Sequence, residues 1–340
     1  MDYRSSGVDI DAGHEVVRRV KALARSTFTP GVLSEIGSFG GLFQPDLSGL
    51  TEPVLVASAD GVGTKLKVAV LAGRHNTIGI DLVNHCVNDI LVQGARPLFF
   101  LDYLATGRLS PDVSAAVIEG VSHGCKENGC PLLGGETAEM PGFYADGEYD
   151  LAGFIVGLVD RARLIDGRTI VPGDILIGLP ASGLHTNGYS LAREIVFNSL
   201  QLTVDSKIEG LGMTVGDELL RCHRSYASVL APLLEEGLVK GLAHITGGGL
   251  TENVPRVLPA GMAARVNRGA WTVPPVFRFL QQNGQVPDDD MYRTFNMGIG
   301  MVIVVAPESS RVARTMLDNL REDAVEIGDV VQGDRQVVYE

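Results

Sequence analysis

Short apolar runs that give out into glycine clusters constrain this chain more than any other feature. Val54-Leu-Val-Ala-Ser-Ala59 stops at Asp60-Gly-Val-Gly-Thr-Lys65, Pro131-Leu-Leu133 at Gly134-Gly-Glu136, and a third run ends in Thr246-Gly-Gly-Gly249. A fourth cluster is Gly37-Ser-Phe-Gly-Gly41, and glycine reaches 42 of 340 residues, against a typical ~7%. Glycine at such ends permits positive φ and lets backbone N–H groups approach a ligand closely. Strand-like runs alternating with helix-like runs and closed by such loops read as an α/β fold with its chemistry at strand ends.

Along the chain, strand-like segments at 53–59, 97–106 and 150–159 alternate with amphipathic segments at 82–95 and 111–128. Charge, glycine and proline interrupt the pattern over residues 160–173, which places a boundary there. Beyond it the pattern predicts strands at 174–179, 241–246 and 261–266 and helices at 189–199, 216–236, 274–283 and 308–320. A helical start near 250–257 and paired strands within 293–306 and 324–339 complete the second half. Two mixed α/β domains are expected, 1–165 and 166–340.

Several function classes are disfavoured by composition. Lys+Arg 28 against Asp+Glu 41 leaves a net charge of −13, so no global positive field draws nucleic acid or anionic lipid. Cys86, Cys125, Cys130 and Cys222 have neither zinc-ribbon nor C-x-x-C spacing and read as reduced thiols. The longest apolar stretches, 151–159 and 297–306, fall short of the ~20 residues a membrane helix needs. The first residues have no apolar signal-peptide core, so a cytoplasmic protein is expected.

Four segments carry candidate chemistry. On a helix, Asp81, His85, Asn88 and Asp89 share one stripe opposite Val83, Val87, Ile90 and Leu91. That polar stripe is expected to face water or a ligand, and its short acid and amide oxygens suit a hard cation. Asp60-Gly-Val-Gly-Thr-Lys65 could hold Mg²⁺ and offset phosphate charge, or be a glycine turn with a surface lysine. No Walker A string occurs in the chain. Glu136 and Glu139 lie in a Gly- and Pro-rich segment that could bind a cation or substrate N–H groups. The loops Ser182–Ser190 and His244–Gly249 each feed a helix start, where an anion such as phosphate is favoured. A lone histidine is more often a hydrogen-bonded core residue than a catalyst, and two in such loops narrow that margin. From the residues alone, the chain reads as an acidic two-domain enzyme acting with Mg²⁺-nucleotide on a phosphorylated small molecule.

Longer strings now carry a resemblance. They are Gly7-Val-Asp-Ile-Asp-Ala-Gly13, Asp60-Gly-Val-Gly-Thr-Lys65, Gly79-Ile-Asp-Leu-Val83 with Val87-Asn-Asp89, and Val92-Gln-Gly-Ala95. Pro97-Leu-Phe-Phe-Leu-Asp-Tyr103, Gly134-Gly-Glu-Thr-Ala-Glu-Met-Pro-Gly142, His185-Thr-Asn-Gly188, His244-Ile-Thr-Gly-Gly-Gly249 and Tyr292-Arg-Thr-Phe-Asn-Met297 follow in order. Together they resemble the phosphoribosylformylglycinamidine cyclo-ligase family, also called aminoimidazole ribonucleotide synthetases. The resemblance runs from about Tyr3 to the C-terminus.

What it implies is a cytoplasmic, ATP- and Mg²⁺-dependent ligase of purine biosynthesis that converts formylglycinamidine ribonucleotide to aminoimidazole ribonucleotide, ADP and phosphate. Phosphorylation of the formyl amide oxygen would give an iminophosphate, and ring closure would then expel phosphate. It also implies an α/β (α+β) fold in which the N-terminal mixed sheets of a homodimer join as a β-barrel, beside a C-terminal α/β domain. Nucleic acid and membrane are not among the expected partners.

Carried over by residue, the resemblance assigns Asp60, Asp81, Asp89 and Glu136 to the metal. It assigns Gly37, Gly40, Gly41, Asp60, Gly61, Gly63, Thr64, Lys65, Asn88, Gly134 and Gly135 to the nucleotide. Lys21, Asp89 and His185 are the expected catalytic residues, with His185 moving a proton. Thr106, Glu139, Asn187, Gly188, Ser190, Thr246, Gly247, Gly248 and Gly249 are expected on the substrate side. Asn84-His85 departs from the small apolar pair expected in many relatives, which removes His85 from the metal set. The alternatives are a thiamine-monophosphate kinase-like enzyme of the same superfamily and a non-catalytic nucleotide-binding dimer. The presence of Asp60, Asp89 and Glu136 argues against the last.

Overall fold

The computed structural model describes residues 9–340, so Gly7 and Val8 of the first matched string lie outside the described residues. The chain divides into two units. One runs through Ile90 and resumes over Ala95–Arg161, and the other comprises Leu91–Gly94 and Ala162–Glu340.

The first unit contains α1 (Ile10–Arg25), β1 (Pro53–Gly61), α2 (Lys65–Ala72), α3 (Asn76–Leu91), β2 (Arg96–Thr106), α4 (Pro111–Glu127), β3 (Leu132–Glu139) and β4 (Tyr149–Asp160). Its strands lie in the order β1-β4-β2-β3, with β2 and β3 parallel and the other neighbours antiparallel. Period-2 alternation sorts the two faces. Val56, Phe100, Leu104, Leu151 and Ile155 are buried, whereas Leu55 is 66% and Phe154 44% exposed on the opposite face. Register sets Leu55 against Leu158, Ala57 against Val156 and Leu101 against Phe154, so that second face is apolar and largely uncovered. In the single chain this sheet is open.

Glycine makes the packing of α3 possible. A Cβ at Gly153 would fall 2.9 Å from Leu82 Cγ, and one at Gly157 would fall 2.5 Å from Ile90 Cδ1, so β4 offers two seats for α3 side chains. On its other side a Cβ at Gly120 of α4 would lie 2.1 Å from the Asn76 carbonyl oxygen, a backbone approach that only glycine allows. Most of α3 is enclosed, and Asp81, Asn84, His85 and Asn88 are as buried as Leu82, Val83 and Val87. Of the two expectations for the polar stripe, water or a ligand, the water-facing one is corrected for Asp81, His85 and Asn88, which lie inside, while Asp89 keeps an edge to solvent.

The second unit contains β5 (Ile175–Pro180), α5 (Tyr189–Arg193), α6 (Val215–Leu219), α7 (Ala227–Glu235), β6 (Val239–His244), α8 (Gly249–Asn253), β7 (Met262–Val266), α9 (Pro275–Gly284), α10 (Asp288–Thr294), β8 (Ile299–Val305), α11 (Pro307–Asn319), β9 (Val325–Gln332) and β10 (Val337–Tyr339). Its sheet has the order β10-β7-β9-β5-β8-β6, and only β10 and β7 run parallel. Between β5 and the edge strand β6, β8 is buried along its length, which suits the continuous run Ile299-Gly-Met-Val-Ile-Val-Val305. Ile177, Leu179, Met301 and Ile303 of the sheet pack with Leu230 and Leu233 of α7 and Leu317 of α11.

Three sequence expectations change here. The segment 216–236 is not one helix: α6 ends at Leu219 and α7 starts at Ala227, leaving an extended connection that holds His223. The strands within 293–306 and 324–339 do not pair with each other, because β5 lies between β8 and β9. Gly134 to Glu139, expected as a loop, runs as the edge strand β3, its ladder to β2 satisfying one side of the backbone. Among the described residues no helix is long and apolar enough to cross a membrane, and all four cysteines are free thiols.

Candidate functional site

In the first unit, alternation along β1 turns Ser58 and Asp60 to the side occupied by α3. There Asp60 Oδ2 lies 2.8 Å from His85 Nε2, and Asp89 Oδ2 lies 3.7 Å from the same nitrogen. Ser58 Oγ donates to Asp89 Oδ2 at 3.2 Å. Two carboxylates from β1 and α3 thus converge on one point, held by an imidazole. Burial opposes charge on His85, but the Asp60 hydrogen bond and the charges of Asp89, Asp60 and Asp81 outweigh it and raise its pKa. The carboxylates keep access to solvent, with Asp60 44% and Asp89 25% exposed, whereas His85 is closed off. Hard oxygen donors converging at a solvent edge suit a small divalent cation, and Asp60 and Asp89 are the residues that would hold it.

Lys65 and Asp81 are placed differently. Lys65 opens α2 but turns inward, its ammonium 2.8 Å from Asp81 Oδ2, with both side chains fully buried. The reading of a surface lysine at the end of the glycine loop is therefore excluded, and Lys65 pairs in the interior with Asp81, an acid expected among the metal ligands. Gly61 lies at the end of β1, and Gly63, at φ 68°, forms the turn that lets Thr64 start α2. Asn88 is fully buried beside Asp89 on α3.

Glu136 stands opposite Tyr103 in the β2–β3 ladder, which puts it on the uncovered face of the sheet and away from the Asp60–Asp89 pair. Glu139 spends both carboxylate oxygens on backbone amides, accepting from Asp9 N at 2.8 Å and Leu109 N at 2.7 Å. Thr106, its ladder partner, donates to the Arg108 carbonyl at 2.9 Å. Gly134 and Gly135 are strand residues, and a Cβ at Gly135 would fall 2.1 Å from Asp102 Oδ1. Gly37, Gly40 and Gly41 sit at the tip of a turn closed by a bridge between Val32 and Phe43. Lys21 reaches this turn from α1, its ammonium 3.7 Å from where a Gly37 Cβ would stand.

The second unit brings its two expected loops together. Asn187 Oδ1 lies 3.3 Å from where a Cβ would stand at Gly247. Asn253 Nδ2 donates to the carbonyls of Gly247 at 3.0 Å and Gly249 at 2.9 Å, fixing the glycine turn. Gly188 and Gly248 have φ of 77° and 96°, and Gly249 could take no side chain, since a Cβ there would meet the Tyr292 carbonyl oxygen at 2.1 Å. Ser190 is exposed in α5, and Thr246 is half-buried. Of the helices that follow, α5 continues directly as a π-helical segment over Glu194–Ser199 and α8 as a 3₁₀ turn over Val254–Arg256, so neither expected anion site stands at a long regular α-helix. His185 is fully buried at φ 61°, a left-handed conformation that few non-glycine residues adopt. Sequence reasoning missed His223, which stacks on His185 with ring centroids 4.0 Å apart. No motif surrounds it, and the merged helix 216–236 hid the connection it occupies.

Comparison with known proteins decides the family. The N-terminal domain of AIR synthase related proteins matches residues 47–159, and their C-terminal domain matches 171–340. The phosphoribosylformylglycinamidine cyclo-ligase of Geobacter metallireducens is 55% identical over 330 residues, 97% of this chain and 95% of that one. The chain belongs to the phosphoribosylformylglycinamidine cyclo-ligase family. Within solved structures, thiamine-monophosphate kinase from Stenotrophomonas maltophilia shares the fold of this cyclo-ligase family member at TM-score 0.69, 18% identity and 96% coverage of each chain. Hydrogenase maturation protein HypE in complex with ATP does so at TM-score 0.68 and 20% identity, over 96% of this chain and 91% of that one.

Proposed function

We propose that this chain is an ATP-dependent cyclo-ligase acting in the cytoplasm, converting formylglycinamidine ribonucleotide to aminoimidazole ribonucleotide with release of ADP and phosphate. The near-full-length identity to an enzyme named for that reaction carries the reading. The converging Asp60 and Asp89 support it, because a phosphoryl-transfer enzyme without a P-loop needs another anchor for its metal–nucleotide. Mg²⁺ there would screen the triphosphate. Lys21 and the turn Gly37–Gly41 adjoin each other and are proposed to cover the nucleotide. Gly61, Gly63 and Thr64 present backbone to it, while the Lys65–Asp81 pair holds α2 and α3 in place beneath.

The substrate side is proposed to be the second unit's paired loops, where Asn187, Gly188, Ser190 and Thr246–Gly249 offer hydrogen bonds to a phosphorylated ribose. Phosphorylation of the formyl amide oxygen turns a poor leaving group into phosphate. The neighbouring nitrogen of the same molecule then closes the ring, a step in which proximity alone can be worth ~7–11 kcal/mol. His185 is proposed to move the proton that ring closure releases.

The uncovered apolar face carrying Leu55, Phe99, Leu101, Phe154 and Val156 supports a homodimer in which two such sheets close into a barrel. Glu136 and Tyr103 lie on that face as well, so in a dimer they would be covered by the partner copy.

Incubation of the purified protein with ATP, Mg²⁺ and formylglycinamidine ribonucleotide tests the function. One ADP and one aminoimidazole ribonucleotide per substrate consumed are expected. ADP formation that does not depend on that substrate would refute the assignment.

A further inference from the structure

Three histidines from three separate segments of the second unit meet in its interior. His185 follows β5, His223 lies between α6 and α7, and His244 ends β6, and one ring nitrogen of each lies within 4.8 Å of the others. All three are buried. His223 is at the centre: its Nε2 lies 3.0 Å from His244 Nε2 and its Nδ1 lies 3.3 Å from Thr186 Oγ1. One face of its ring stacks on His185, with the planes 18° apart. The Ser182 amide donates to His185 Nε2 at 3.1 Å.

These contacts restrict where protons can sit. Two Nε2 atoms at 3.0 Å share one hydrogen between them. Two hydrogens would collide, and none would leave two lone pairs facing each other. When His223 supplies that hydrogen, its Nδ1 is a lone pair that accepts from the Thr186 hydroxyl, and neutral His244 carries its own hydrogen on Nδ1. When His244 supplies it, His223 carries its hydrogen on Nδ1 and donates to the Thr186 oxygen. The tautomer of His244 is thus tied to that of His223. His185 is fixed separately, because accepting the Ser182 N–H at Nε2 leaves the hydrogen of the neutral ring on Nδ1. Charge on His223 would repel charge on the ring stacked 4.0 Å away, so the stack favours a neutral His223.

A transition metal among the same three rings fits less well. Zinc with Zn–N bonds of ~2.0–2.1 Å holds tetrahedral nitrogens about 3.3 Å apart, wider than the His223–His244 separation of 3.0 Å. The Nε2 lone pair of His185 is already given to Ser182.

We propose that His223 is a positioning residue for the reaction, setting the tautomer of His244 and the ring orientation of His185. The proposal rests on the cyclo-ligase reading for its kinetic consequence, but its tautomer consequence stands without it. Three substitutions separate the contacts. His223→Phe keeps a stacking ring and loses both hydrogen bonds, His223→Gln can keep the bond to His244, and His223→Asn can keep the bond to Thr186.

The test is long-range ¹H–¹⁵N NMR of the histidine rings in the full chain, with steady-state kinetics on the same samples. His223→Phe is expected to move His244 from one dominant tautomer to a mixture. It should also lower kcat by at least ~10-fold, as loss of an oriented proton-transfer group does, with KM for ATP unchanged. His223→Gln should recover the tautomer and more of kcat than His223→Asn. An unchanged His244 spectrum in His223→Phe, or equal losses in the Gln and Asn variants, would overturn the proposal. So would a tetrahedral Co²⁺ absorption band in the wild type that His223→Phe abolishes. Absence of turnover in the wild type would count against the cyclo-ligase reading alone, since the NMR result does not depend on it.

Discussion

Lys65 Nζ lies 2.8 Å from Asp81 Oδ2, with neither side chain exposed to solvent, so the first residue of α2 is locked to the second turn of α3 through a wholly interior ion pair. Removing one partner of such a pair leaves an uncompensated charge, at a cost of ~3–5 kcal/mol. Lys65→Met should therefore destabilise the protein by about that much in urea unfolding, and Lys65→Met with Asp81→Leu should recover most of it. A single variant as stable as the wild type would show that Lys65 does not neutralise Asp81.

Asp102 is buried in β2, and burial pushes its carboxyl up to about 7, against a small lowering by its own backbone. The unfolded value is ~3.9. The folded state therefore binds the proton more tightly, so the carboxyl adds no penalty below pH ~4 and one that grows as pH rises toward 7. Asp102→Asn should raise the urea midpoint at pH 8, by at most about 4 kcal/mol of stability, and leave it nearly unchanged at pH 4. An equal effect at both pH values would contradict this.

Gly120 faces the Asn76 carbonyl across the α3–α4 contact at a distance that leaves no room for a methyl group. Gly120→Ala should cost ~1–3 kcal/mol or more by overpacking, seen as a lowered Tm, although alanine is the better helix former. A higher Tm would mean that the helices can part without loss.

The dimer proposal predicts that Phe154→Arg, on the uncovered face of the four-stranded sheet, gives a monomer by analytical ultracentrifugation where the wild type sediments as a dimer. Persistence of the dimer would place the interface elsewhere.

The strands at 53–59, 97–106 and 150–159 were legible in their short apolar runs, whereas β3 was not, because its residues beyond Leu133 read as a glycine loop. What the sequence hid is interior polarity. The stripe Asp81, His85, Asn88 and Asp89 has the spacing of a wet helix face, yet Lys65 of α2 closes on Asp81 and Asp60 of β1 closes on His85. Periodicity reports which residues share a face and cannot report that a second helix covers it. His223 was invisible for a related reason: its partners, His185 and His244, are each more than 20 residues away in sequence. Glu136 and Glu139, read together as adjacent acids, are separated by strand alternation onto opposite faces of the sheet.

In a protein with no P-loop, Asp60 and Asp89 together are proposed to anchor the metal–nucleotide. Isothermal titration of ATP into the wild type and the Asp60→Asn and Asp89→Asn variants, with and without Mg²⁺, tests it directly. Binding that requires Mg²⁺ in the wild type and weakens by at least ~10-fold in each variant, about 1.4 kcal/mol, is the expected result. Mg²⁺-dependent binding of undiminished affinity in both variants would contradict it.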